Sequence, residues 1–338
     1  MMRSPLARLL CACLLSVCAV LPVLAADGQS GATLTIISEN DNFALTYKDR
    51  HYTNGVYLSW TSPPSADGGS YAGWIDGLAM ADPRENASYR HSFYAGQSIF
   101  TPGDLARTTY DPNDRPYAGW LYGGVKIYRE TNAHLDRLNL TLGVVGPWAL
   151  AHETQVWIHS LNPAGTTKPR GWSNQIHNEP GLVVSYQRIW RSLALPLGAL
   201  EAEMLPEASF AVGNVLTYAG AGISFRLGQN LDTDWGPPGI APSLEGTDFS
   251  HSERGRFAWY VFAGVEGRAI GRNMFLDGNM FRNSAMIAKE PFVGDMRAGV
   301  GLLFGGVNVY ATYTMRTHEF KKQTGSDPFV AVAVSFTN

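Results

Sequence analysis

The chain has 338 residues, 45% hydrophobic and 16% charged, with 26 basic side chains against 29 acidic. That balance excludes a disordered polymer and a charge-driven nucleic-acid binder. The 36 glycines, 9 tryptophans and 15 tyrosines belong to no fibrous repeat, so they need another explanation.

The first 25 residues read as a secretory leader. Arg3 and Arg8 give the positive start, Leu9 to Leu21 is apolar, and Val23-Leu24-Ala25 offers a cleavage site. Cleavage after Ala25 removes two arginines and no acid, which takes the formal charge from −3 to −5. It also removes Cys11, Cys13 and Cys18, the full cysteine complement. An exported chain without thiols must be stabilised by something other than disulfides. A membrane anchor at residues 9–24 is the alternative; a lipid-modified Cys18 is disfavoured by Val17 before it.

Beyond the leader no apolar run reaches the roughly 18–20 residues of a spanning helix. Period-two alternation recurs instead. In chain order, Thr53, Gly55, Tyr57 and Ser59 oppose Val56, Leu58 and Trp60. Arg137, Asn139, Thr141 and Gly143 oppose Leu138, Leu140, Leu142 and Val144. Val307, Val309, Ala311, Tyr313 and Met315 oppose Asn308, Tyr310, Thr312 and Thr314, and Val330, Val332, Val334 and Phe336 close the chain. An apolar face opposite a polar one predicts an all-β transmembrane antiparallel barrel with lipid outside and a polar lumen. Trp60, Tyr128, Trp190 and Tyr313 are placed for interfacial girdles. A soluble sandwich also alternates, but long strands, export and the lack of disulfides favour the membrane.

Twelve strands are expected, at 33–39, 53–62, 91–99, 118–130, 135–145, 181–191, 200–212, 214–227, 256–269, 294–304, 307–318 and 327–336. An even count suits a bacterial barrel with both termini in the periplasm. Connections 40–52, 100–117, 146–180, 270–293 and 319–326 then face outward, with a tight turn at Gly213. Those at 63–90 and 228–255 face the periplasm. No linker or repeat divides residues 26–338, so a single outer-membrane barrel domain is expected.

The usual hydrolase, phosphate-loop and dinucleotide signatures are absent. His152-Glu153 and His159 fail as a zinc-protease motif, because the histidines are seven residues apart rather than four. Two other stretches carry more information. Glu39-Asn40-Asp41-Asn42-Phe43 reads E-N-D-x-F, and Asp49 to Trp60 reads D-R-x-Y-T-N-G-x-x-L-S-W. Taken alone, Asn-Asp-Asn is ordinary turn chemistry.

Taken with stretches further along the chain, these motifs resemble the outer-membrane lipid A 3′-O-deacylase family (LpxR-like). The resemblance continues through Ser98 to Pro102, Asp114 to Trp120, Gly143 to Pro147, Gln155 to His159, Gly171 to Gln175 and Asn178 to Pro180. It implies a twelve-stranded barrel that removes an ester-linked acyl chain from lipid A and requires Ca²⁺. The family's Asn-Asp pair falls on Asn40 and Asp41, its Thr or Ser on Thr53, and its catalytic histidine on His159. Its lysine falls on Arg107, which keeps the charge but exchanges a point ammonium for a planar fork. The family's acid six residues past the histidine has no counterpart, since Gly165 stands there.

The implied mechanism has neutral His159 taking a proton from an attacking water. Asp41 and Asn40 hold Ca²⁺ through hard oxygens, Arg107 meets the oxyanion or a phosphate, and Thr53 orients Asp41 or substrate. All five lie at or beyond the outward strand ends in the topology drawn from alternation, on the leaflet where lipid A resides. Substrate lipopolysaccharide and outer-membrane lipids are the expected partners; neither nucleic acid nor a protein partner is implied. Two rivals remain: a passive porin or structural barrel, expected to have an open lumen, and another outer-membrane acyl hydrolase, a 3-O-deacylase or a phospholipase.

Overall fold

The computed structural model describes residues 31–41, 50–82, 84–161, 167–242, 245–251 and 256–338. The expected leader lies outside the described residues. Strands run β1 Thr33–Asn40, β2 His51–Thr61, β3 Ser88–Thr101, β4 Ala118–Glu130, β5 His134–Val145, β6 Glu179–Trp190 and β7 Leu193–Leu197. They continue with β8 Leu200–Gly213, β9 Leu216–Gln229, β10 Phe257–Asn273, β11 Phe292–Phe304, β12 Val307–Arg316 and β13 Asp327–Thr337. Three α-helices are described: α1 Ala72–Ala79, α2 Ala151–Leu161 and α3 Met274–Asp277.

All neighbouring strands pair antiparallel. Closure comes from β1 against β13, with Thr33 opposite Thr337, and from β6 against β8, with Val183 opposite Gly213. Twelve strands therefore make the wall, as alternation predicts. The thirteenth, β7, continues the line of β6 along the same partner, β8, with Ile189 opposite Glu207 and Leu193 opposite Met204. Its Leu193, Leu195 and Leu197 are all exposed.

The outward face carries exposed Val56, Leu58, Leu140, Leu142, Leu182, Val184, Val261, Val265, Val300 and Leu302. Closure gives each of the twelve wall strands a partner on both sides, the condition for strands to cross a bilayer. One girdle assignment fails. Tyr128 shares its face with Lys126 and points into the lumen, where its hydroxyl donates to Asp248 at 3.2 Å.

The expected placement of residues 228–255 on the periplasmic side is also corrected. The described residues from Leu231 to Ile240 and from Glu245 to Ser250 are almost all buried inside the barrel. Asp248 accepts from Lys126 Nζ at 2.8 Å and Tyr57 Oη at 2.6 Å. Glu245 meets Arg137 at 3.1 Å. Asp234 pairs with Arg226 and accepts from Tyr260 and Tyr310, both at 3.0 Å. Trp235 and Phe249 pack with Tyr128, Leu135, Ile189 and Leu205. The plug's acids pair the lumen cations Lys126, Arg137 and Arg226, and a buried ion stripped of its partner costs about 3–5 kcal/mol.

Candidate active site on the outward face

The lip of the barrel around β1 and β2 gathers three of the five expected residues. Asn40 ends β1 opposite Asn54 in β2, and Asp41 follows it. The Arg50 backbone N–H donates to Asp41 Oδ2 at 2.7 Å, which closes the first outward connection. Asn40, Asp41 and Thr53 are all buried.

Thr53 occupies a register shift between Tyr52 and Asn54. Tyr52 and Gly55 both point inward: a Cβ on Gly55 would collide with the Tyr52 hydroxyl. The extra residue turns Thr53 outward, where its hydroxyl lies 2.7 Å from that of Thr101. Bulges commonly re-aim a side chain in this way. On the lumen side Glu39 supports the same strands, accepting from Tyr52 Oη at 2.7 Å and from the plug's Ile240 N–H at 3.2 Å.

His159 stands in the last turn of α2. The sequence pattern marks this segment only as part of a connection, so the helix is a finding. Gly146 turns the chain at φ 88°, a backbone that favours glycine, and Pro147 opens a short 3₁₀ turn ahead of α2. The helix then lies on the outward face of the wall. A Cβ on Gly119 of β4 would come within 2.5 Å of Ala151 Cβ, so glycine there permits the approach. Gln97 of β3 donates to Ala149 O at 2.6 Å. Ile99, Leu105, Tyr117, Ala151 and Trp172 form a small core between wall and loops, and Trp172 Nε1 donates to Gln155 at 2.8 Å.

The candidate site is thus bounded by the outward face of β1–β3 and by α2, on the membrane side of the wall. His159 Nδ1 and Asp41 Oδ1 are both shut off from solvent. Trp148, Leu150, Val156 and Trp157 leave an exposed apolar surface around the helix.

Arg107 stands apart, exposed on the second outward loop and ion-paired with Asp111. It lines a small cleft with Asp104, Asp114, Tyr117, Gly171 and Asn174. Asn178 and Glu179 serve architecture: Asn178 Oδ1 accepts from Trp148 N at 2.7 Å, and Glu179 accepts from Asn279 and the Met280 N–H.

Sequence reasoning assigns no role to His51, and the structure gives it one. At φ 67° it faces Asp114 at 3.4 Å on one ring nitrogen and bonds Asp327 on the other. Arg50 reaches Asp327 at 2.9 Å, and Arg115 reaches Glu319 at 3.2 Å. Three outward connections are thereby tied beside Asp41. Burial works to raise the Asp114 carboxyl, but His51 and the N–H groups of Gly103 and Arg115 hold it below the ordinary value.

For calcium, Asn40 and Asp41 present only hard oxygens, so the donor chemistry fits. Among the described residues no group of three His, Cys, Asp or Glu side chains gathers as a metal cluster. A Ca²⁺ ion here would draw most of its roughly 6–8 ligands from carbonyls, water and substrate.

The chain is similar to several known proteins. The model of the family described as outer membrane protein LpxR matches residues 9–338. LpxR from Salmonella typhimurium superposes with a TM-score of 0.72 at 23% identity, covering 90% of this chain and 100% of that one. The β domain of the Bordetella autotransporter BrkA gives 0.46 at 12% identity, with 92% and 100% covered. The NalP translocator domain from Neisseria meningitidis gives 0.40 at 12%, with 95% and 92% covered. No curated protein matches the sequence. With its family model matched over nearly the whole chain and its barrel closed, the protein belongs to the LpxR family of the outer membrane, the family its motifs resemble.

Proposed function

We propose that the protein is a Ca²⁺-dependent lipid A 3′-O-deacylase acting in the outer leaflet. The observation that carries this reading is the side of the wall on which the polar groups lie. Thr53 is turned outward by a bulge, and the helix bearing His159 lies on the outward face at Gly119. A substrate held in the leaflet reaches such a site laterally. Exposed Trp148, Val156 and Trp157 suit contact with its acyl chains.

In this mechanism neutral His159 accepts the proton of a water as that water attacks the ester carbonyl, then returns it to the leaving alkoxide. Asp41 and Asn40 would hold the calcium ion, which when bound supplies Lewis-acid polarisation of the acyl carbonyl. Thr53 fixes the neighbouring polar groups through its hydroxyl. Arg107 supplies positive charge to a lipid A phosphate or to the oxyanion, and would have to leave Asp111 to do so.

The passive-porin alternative fares worse, because the plug fills the lumen that a porin leaves open. The competing acyl hydrolases are separated by product position. Lipid A treated with the purified protein should lose its 3′ ester-linked chain and keep the chain at position 3. Loss at position 3, or cleavage of glycerophospholipid alone, would replace the proposal.

A further inference from the structure

The outward face of the wall becomes charged where β3–β6 reach the periplasmic end. Alternation puts Tyr89, Arg129, Asp136, Tyr186 and Arg188 on the same face as exposed Phe93, Leu140, Leu142 and Val184. Helix α1 covers this patch. Asp76 accepts from Arg129 Nε at 3.0 Å and Tyr89 Oη at 2.9 Å, and Ala79 O accepts from Arg188 at 2.8 Å. Ile75 and Ala79 are buried beneath it. The helix therefore lies against the outside of the barrel, at the periplasmic rim.

Its other face is entirely apolar. Trp74 is 74% exposed, Leu78 47% and Met80, just past the helix, 88%. Gly73 and Gly77 complete that stripe, and the one charge of the helix, Asp76, is turned to the wall. A helix facing water has the opposite polarity. The stripe also continues a membrane-facing surface: Tyr71, immediately before α1, reaches His91 at 3.2 Å, and His91 packs between Trp60 and Phe93 of the outward belt.

We propose that α1 is an interfacial anchor, with Trp74, Leu78 and Met80 seated among phospholipids of the periplasmic leaflet. It shields the Arg129–Asp136–Arg188 cluster from lipid and sets the depth of this side of the barrel. Interfacial helices bind through buried apolar area, and aromatic side chains mark the headgroup level. The inference is independent of the catalytic reading.

The test uses protein purified from outer membranes and reconstituted in phosphatidylethanolamine–phosphatidylglycerol vesicles. A bimane label is carried at Leu78→Cys, with Leu58→Cys as a lipid-facing reference and Ala66→Cys as a water-facing one. Brominated acyl chains should quench the label at 78 at least half as strongly as at 58, while aqueous iodide quenches it much less than at 66. Iodide quenching equal to that at 66, with no response to brominated lipid, would overturn the proposal. Protection from both quenchers would overturn it too, in favour of a protein contact on that face.

Discussion

Thr53 and Thr101 face each other at 2.7 Å between hydroxyl oxygens, across a register shift that no neighbouring pair of β2 and β3 shares. The contact fixes the one bulged residue of β2 on the membrane side of the wall.

Removing that hydroxyl should therefore affect turnover more than folding. Thr53→Val is expected to lower kcat at least about fivefold, the factor for a lost interaction of about 1 kcal/mol. Thr53→Ser should stay near wild type. Undiminished turnover in Thr53→Val with a loss in Thr53→Ser, in initial-rate assays on lipid A, would assign the site's need to the methyl group instead.

Glu39 joins wall, plug and site from the lumen side. Glu39→Ala leaves the Tyr52 hydroxyl and the Ile240 N–H without their acceptor, at about 1–3 kcal/mol for each stranded group. The heat-induced mobility shift in detergent gels should move to lower temperature. An unchanged transition would show that the plug does not lean on β1.

The plug should block ion flow. Wild-type protein in planar bilayers is expected to show no steady porin-like conductance, and deletion of residues 236–249 should open one. Steady conductance from the wild type would restore the porin reading.

The His51 clamp should loosen in acid. The Asp114 carboxyl is held below its ordinary value of 3.8, so its contribution is present above that value and is lost as pH falls through the lower, folded-state value. Proteolysis or amide exchange of residues 100–117 should increase below about pH 4. Asp114→Asn should remove that acid-dependent step while loosening the loop at neutral pH.

Much of the barrel was legible because lipid and lumen demand opposite chemistry on alternate residues. Leu138–Leu140–Leu142 against Arg137–Asn139–Thr141 could be read directly. The plug could not: residues 231–251 have no period, and Gly236-Pro237-Pro238 resembles any surface turn. Its partners include inward charges such as Lys126 and Arg137, drawn from distant strands. Helix α2 was hidden for a related reason, since exposed Val156 and Trp157 break the amphipathic stripe of a helix facing water. Tyr128 could have been placed inward from its shared parity with Lys126. The bulge at Thr53 left no mark, because its extra residue is a good strand former. The catalytic roles proposed for Asn40, Asp41, Thr53, Arg107 and His159 rest on family resemblance; alternation contributes only their common end of the barrel.

The central claim is tested most directly by mass spectrometry of lipid A after incubation with purified, folded protein, with Ca²⁺ or with chelator. The account predicts loss of the 3′-linked acyl or acyloxyacyl group with Ca²⁺, none with chelator, and a fall of about 10²–10⁴ in rate for His159→Ala. Intact lipid A from folded wild-type protein with Ca²⁺ present, or undiminished release by His159→Ala, would contradict it.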